Sequence, residues 1–170
     1  MLQPEPPGRR REWATGGERE TLESFLDDYR DVVVRKVSGL SDADARRRLV
    51  SSQTTVGGLV KHLRWAEYGW FDQLLQQRAD DNRRQHERSW EFEFLPDESL
   101  ATLVTEYQRQ CEQSRRIAAQ YPLDHVVAHR RLGQVSLRWM YVHMIEETAR
   151  HAGHLDILRE QLDGATGFDG

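Results

Sequence analysis

From Glu18 the apolar residues Leu22, Phe25, Leu26, Tyr29, Val32, Val33 and Val37 recur at three- and four-residue steps, the period of an amphipathic helix. Gly39 ends that pattern, and Ser41 followed by Asp42 and Asp44 offers a cap and early acidic residues for a short helix through about Leu49. Thr54 or Thr55 can cap the next long helix, expected to run to about Arg78. On it Leu59, His62, Leu63, Ala66, Gly69, Trp70 and Leu74 share one face while Lys61, Arg64 and Glu67 lie off it. Ala79 to Arg88 has no period and Trp90 to Phe94 alternates, which predicts a loop followed by an extended piece. Pro96 to Ser99 opens a third long helix reaching about Gln120, with Leu100, Leu103, Val104, Tyr107, Cys111, Ser114 and Ala118 in register. Tyr121 and Pro122 stop it. After a connection bearing His125, His129 and Gly133, Ser136 caps a last helix that reaches Leu162 and ends before Gly164.

Four long helices and one isolated β-like piece predict an all-α fold, a four-helix bundle. Residues 1–17, with Pro4, Pro6, Pro7, Gly8, Gly16 and Gly17, read as a flexible N-terminal arm, 18–165 as the folded domain and 166–170 as a tail. A chain of 170 residues fits one such domain.

Charge narrows the function classes. The formal net charge is −4, and the Arg-rich clusters at Arg9 to Arg11, Arg46 to Arg48 and Arg130 to Arg131 are short and have acidic neighbours. A nucleic-acid partner is therefore not expected. No apolar run is long enough to span a membrane and residues 1–17 lack an apolar signal core, so the expected location is the cytoplasm. The single cysteine, Cys111, has no partner for an internal disulfide and reads as a buried core residue.

The chemistry concentrates on the last helix. His143, Glu147, His151 and His154 fall within an arc of about 80° at 100° per residue. Glu147 and His151 are one turn apart, so a carboxylate oxygen and an imidazole nitrogen can converge on one ion. A third ligand must come from a facing helix, and His62 fits. It sits on an apolar face, where an unpartnered imidazole suffers a desolvation cost of ~1–3 kcal/mol. On residues alone the same pair also reads as an ordinary i, i+4 surface contact, and His62 as a core histidine satisfied by a neighbour.

The segment Thr55 to Leu63 around His62, then Ser136 to Trp139 and His143 to His154, resembles the DinB-like superfamily over about residues 18–165. It looks closest to an actinobacterial subfamily of unknown function, related to mycothiol-dependent maleylpyruvate isomerase. That resemblance implies a four-helix bundle binding one divalent ion through His62, Glu147 and His151, with zinc the first expectation and nickel the second. Many superfamily members have His where this chain has Glu147, and the carboxylate resembles the isomerase branch.

Two histidines and a carboxylate leave coordination positions open, as in reactive rather than closed structural sites. Such a site can polarise a carbonyl or lower the pKa of a bound thiol or water. The resemblance adds a low-molecular-weight thiol such as mycothiol or bacillithiol. The leading expectation is thus a metal-dependent thiol transferase or isomerase acting on a small molecule. The alternatives are a non-catalytic, metal-stabilised binding module and a metal-dependent hydrolase with Glu146 or His154 as base. His143 and His154 are expected beside the metal ligands or in the pocket, and His86, His125 and His129 in solvent. Trp65, Trp70, Trp139 and Tyr141 are expected mainly to pack the core, and the resemblance also implies a homodimer.

Overall fold

The computed structural model describes residues 14–79 and 88–166. Most of the N-terminal arm, nearly all of the Ala79–Arg88 loop with His86, and tail residues 167–170 lie outside the described residues.

The first helix, α1 (Glu18–Val37), begins with Glu18 and Glu20 and ends with Arg35 and Lys36, each pair complementing the helix dipole. Gly39 follows in the left-handed region, at φ 78°. The short α2 (Asp42–Arg46) stops sooner than Leu49, because Arg47 is already extended; its cap is Ser41, whose side chain accepts from the Asp44 amide. In α3 (Val56–Glu67) the cap is Thr55, accepting from the Gly58 amide. Beyond Glu67 the backbone widens into a π-helix over Tyr68–Leu74, so the regular helix ends well before Arg78. Such widened turns are rare and recur at functional sites.

The alternating Trp90–Phe94 stretch is not extended. It folds as a 3-10 turn over Arg88–Phe92 that packs on α3. A Cβ on Gly57 would lie 2.3 Å from the Phe94 ring, and one on Gly58 only 2.1 Å from the Phe92 carbonyl oxygen. The two glycines are what let this segment lie on the helix. Lys61 fastens it further, donating to the Glu93 carbonyl at 2.9 Å and pairing with Glu98 at 2.8 Å.

Ser99 caps α4 (Leu100–Ala118). The connection after it contains a small antiparallel hairpin absent from the sequence reading, β1 (Val126–His129) and β2 (Gly133–Ser136), with Val127 opposite Val135 and both valines buried. Neither Val126–His129 nor Gly133–Ser136 alternates strictly between apolar and polar residues, so no period marks them. Ser136 then caps α5 (Leu137–Asp163), which ends at Gly164 in the left-handed conformation.

The expected all-α bundle is therefore the observed fold. α1 and α5 run parallel, tied by Arg138 to Glu18 at one end and by Lys36 to Asp156 at the other. α3 runs against α5, bringing Trp70 to Trp139 and His62 to Glu147. α4 lies along α3 in the same direction, with Arg64 near Glu106 and Gly57 and Leu100 at neighbouring ends. The connection between α3 and α4 therefore has to travel back along the bundle, and that return puts the 3-10 turn beside His62.

Two apolar clusters fill the interior. One joins Val33, Leu59, Leu63, Leu103, Tyr107 and Leu155; the other joins Leu26, Phe71, Ile117, Leu137, Met140 and Met144. Cys111 is buried in the first, as expected. Lys61 and Glu67, read as lying off the apolar face, are buried as well, at 3% and 0% exposure. The reason is that α3 is covered on several sides, by α1, α4, α5 and the returning connection. Among the described residues no helix is long and apolar enough to cross a membrane.

Candidate metal centre

Three of the residues singled out from the sequence meet on the seam between α3 and α5. Glu147 Oε1 lies 2.8 Å from His62 Nε2 and 3.1 Å from His151 Nε2. The three ligand atoms all fall within 4.8 Å of one another. Regular helix geometry produces this convergence. Glu147 and His151 stand one turn apart on α5, and the antiparallel α3 slides His62 in between, its ring 4.9 Å from that of His151 and nearly perpendicular.

Electrostatics pull the group together. Hydrogen bonding to His151 and His62 holds the Glu147 carboxyl well below the usual carboxylate range, against its own desolvation. Burial would depress His62, but the flanking Glu147 and Glu91 carboxylates outweigh it and its pKa is raised. Arg150 reaches Glu147 Oε2 at 3.6 Å from the solvent side.

The donor set suits one divalent cation. Two imidazole nitrogens and a carboxylate oxygen are ligands shared by zinc, nickel, iron and manganese. For metal–ligand bonds of about 2.0–2.1 Å, neighbouring donors in a tetrahedron stand about 3.3 Å apart. The observed 2.8 Å and 3.1 Å edges are a few tenths shorter, and the remaining edge is within 4.8 Å. Nδ1 of His62 is buried without a hydrogen bond, facing the Glu91 carboxylate at 3.4 Å.

The other candidates fall around this group. His154 is largely exposed, and its Nδ1 lies 3.3 Å from Nδ1 of His151; desolvation and the neighbouring His151 lower its pKa. His143, one turn before Glu147, is half-buried and stacks on Trp139 with ring centres 5.1 Å apart. Trp70 meets it edge-on at 4.6 Å, and burial lowers its pKa. Glu146 points outward, paired with Arg150. His129 is half-buried rather than solvated, stacked on Trp70 at 5.5 Å, and His125 packs against Tyr121 at 4.6 Å. Of the aromatics expected in the core, Tyr141 is buried and Trp139 is 40% exposed.

Two residues that sequence reasoning missed touch the group directly: Glu91, and Phe92, whose ring stacks on His62 at 4.0 Å and 16°. Both lie in the aperiodic turn, where no spacing links them to His62.

No curated protein matches the chain. The profile of the mycothiol-S-transferase family matches residues 21–164, which takes in nearly all of α1, the whole of α3 with its π-helical extension, the hairpin and α5 with every residue of the triad. With a match over that span, the chain belongs to the mycothiol-S-transferase family, a DinB-like family.

Proposed function

We propose that the protein transfers the thiol of mycothiol, or a closely similar small thiol, to an electrophilic small molecule at a divalent ion held by His62, Glu147 and His151. The observation that carries this reading is the convergence of those three side chains on one point within a family of mycothiol transferases. A divalent ion held there would supply Lewis acidity, which favours the thiolate form of a small thiol near neutral pH.

The chain's own residues do the rest. The two imidazoles and Glu147 would hold the ion and contribute only one negative charge, which would leave a divalent centre net positive toward an anionic sulfur. Arg150, at the solvent side of Glu147, adds positive charge where an anionic thiol approaches. The proton released by the thiol has an exposed acceptor in the His154 imidazole, whose pKa desolvation and the neighbouring His151 lower. In the transfer itself, sulfur donates its electron pair to the electrophilic carbon. A leaving group departs with the electrons of the broken bond, or an unsaturated acceptor takes up the proton instead.

The protein's own thiol is no substitute. Cys111 is 3% exposed, and burial pushes its pKa far above the ordinary thiol value, so the nucleophile has to arrive from outside. A hydrolytic reading is less favoured: Glu146, one of its two candidate bases, is engaged by Arg150, and the family match is to thiol transferases.

The test is thiol consumption by protein loaded with zinc or nickel, given mycothiol and a panel of alkylating and unsaturated electrophiles. Metal-dependent consumption that disappears in His151→Ala supports the reading. Metal-loaded protein that consumes no thiol across the panel overturns it.

A further inference from the structure

An imidazole ligand has two nitrogens, and a metal can use one only if the other carries the proton. Outer partners of metal-bound histidines fix that choice. In the triad, Nε2 of His62 faces Glu147 Oε1 at 2.8 Å, so Nε2 is the metal-facing atom and Nδ1 must hold the proton. Nδ1 is buried and makes no hydrogen bond. Glu91 Oε2 stands 3.4 Å away. A formed charge-assisted N–H···O bond measures about 2.7–2.9 Å, so a shift of roughly half an ångström makes the contact good.

Glu91 is held at that spot by more than its own side chain. The next residue, Phe92, lies nearly parallel to the His62 ring, and the Phe92 carbonyl occupies the space that a side chain at Gly58 would fill. Lys61, the residue before His62, grips the Glu93 carbonyl at 2.9 Å, and its ammonium also lies over the Trp90 ring at 4.9 Å. Every residue from Trp90 to Phe94 thus touches α3 within one turn or so of His62, and Glu91 is the carboxylate this places at its second nitrogen.

We propose that Glu91 is a positioning residue: it accepts the Nδ1 proton of His62, fixes the tautomer that presents Nε2 to the metal, and works with the Phe92 ring, which fixes the plane. The proposal rests on the metal-binding reading above and goes beyond it in assigning a role to a residue outside the triad. Nothing is transferred in this step. The proton stays on Nδ1, shared with Glu91, and Nε2 offers its lone pair.

Zinc affinity of the full chain, measured by competition with a chromophoric chelator, tests it together with nitrogen-15 NMR of the histidine rings. Glu91→Ala is expected to weaken zinc binding about 10–100-fold, while Glu91→Gln, which keeps an acceptor oxygen, recovers most of that loss. In a His62→Ala background, Glu91→Ala should have no further effect, because the ring it positions is gone. Zinc-loaded wild type should show His62 with the proton on Nδ1. A wild-type zinc affinity that needs His62 and His151 but is indifferent to Glu91→Ala, or a His62 ring protonated on Nε2 in the zinc form, overturns this proposal and leaves the metal reading standing. Wild-type protein that binds no zinc overturns both. Should Glu91→Ala fail to fold, Glu91→Gln and the wild-type spectrum decide the matter.

Discussion

Helix α3 takes part in two clusters of charged groups little more than a turn apart, one buried at Glu67 and one half-buried at His62, and they are built differently. At Glu67 the group is closed: the Arg30 guanidinium makes a two-pronged contact with the carboxylate, at 2.8 Å and 2.6 Å, and both side chains are at most 5% exposed. The Glu67 carboxylate keeps Arg30 charged despite its burial, and Asp27 takes a further guanidinium N–H at 2.8 Å. At His62 the partners of the Glu147 carboxylate are two imidazoles, at 2.8 Å and 3.1 Å, whose charge depends on a proton, with Arg150 on the solvent side. One cluster carries a permanent guanidinium charge, whereas the other, on the reading proposed above, would exchange an imidazole proton for a metal ion. A buried charge is tolerated only when paired, so removing a partner should be felt differently in the two clusters.

Breaking the closed cluster should give the largest effect on stability. Glu67→Gln leaves Arg30 buried beside a neutral amide, and removing one partner of such a pair costs about 3–5 kcal/mol. Urea unfolding should show that loss while zinc affinity per folded molecule stays within a few-fold of wild type. A large change in zinc affinity would mean that the two clusters are one network.

The open cluster should respond to added metal instead. Zinc at about 100 times its dissociation constant stabilises the folded state by about 2.7 kcal/mol, or roughly 5–10 °C in melting temperature for a domain of this size. That rise should persist in Glu67→Gln and vanish in His151→Ala. A zinc-induced rise of the same size in His151→Ala would place the metal elsewhere.

Gly58→Ala probes the link between α3 and the returning turn. Its Cβ would meet the Phe92 carbonyl oxygen at 2.1 Å, and backbone cannot swing aside as a side-chain tip does. The expected cost is about 1–3 kcal/mol, as for an overpacked core, accompanied by weaker zinc binding because Glu91 and Phe92 are displaced from His62. Full stability with unchanged zinc affinity would show that the turn does not brace the site.

The same contrast explains what could be read from the sequence. His62, Glu147 and His151 were legible because each sits on a long periodic helix, where spacing fixes direction, and the antiparallel seam only had to bring two helices together. Caps at Ser41 and Ser136 were legible for the same local reason. Glu91 was not, since the turn that carries it has no period and owes its place to Gly57, Gly58 and Lys61 on another element. The pairing of Glu67 with Arg30 was equally hidden. It joins residues 37 apart in the chain, and Glu67 occupies a helix face that a lone amphipathic helix would give to solvent. The π-helix at Tyr68–Leu74 is spelled in residues that suit an ordinary helix, so only the packing of Phe71 and Trp70 against other elements marks it.

The smallest expected effect is a pH dependence that sets metal-free and metal-loaded protein against each other. Glu147 is depressed in the folded state, so its contribution is present above the unfolded carboxyl value near 4.5 and is lost as pH falls toward the folded value. His62 is raised, so its contribution is complete below the unfolded value of 6.5 and fades as pH rises through the folded one. Metal-free protein therefore draws most from the triad between those two unfolded values and loses a little above them. Zinc needs the proton off Nε2 of His62, so its affinity climbs over the range in which that contribution fades. Melting curves from pH 6 to pH 8 should thus show a zinc-induced rise that grows with pH. In His62→Ala that growth should be reduced, because the ligand with the raised pKa is gone, whereas Arg30 remains charged throughout and gives the closed cluster no such switch.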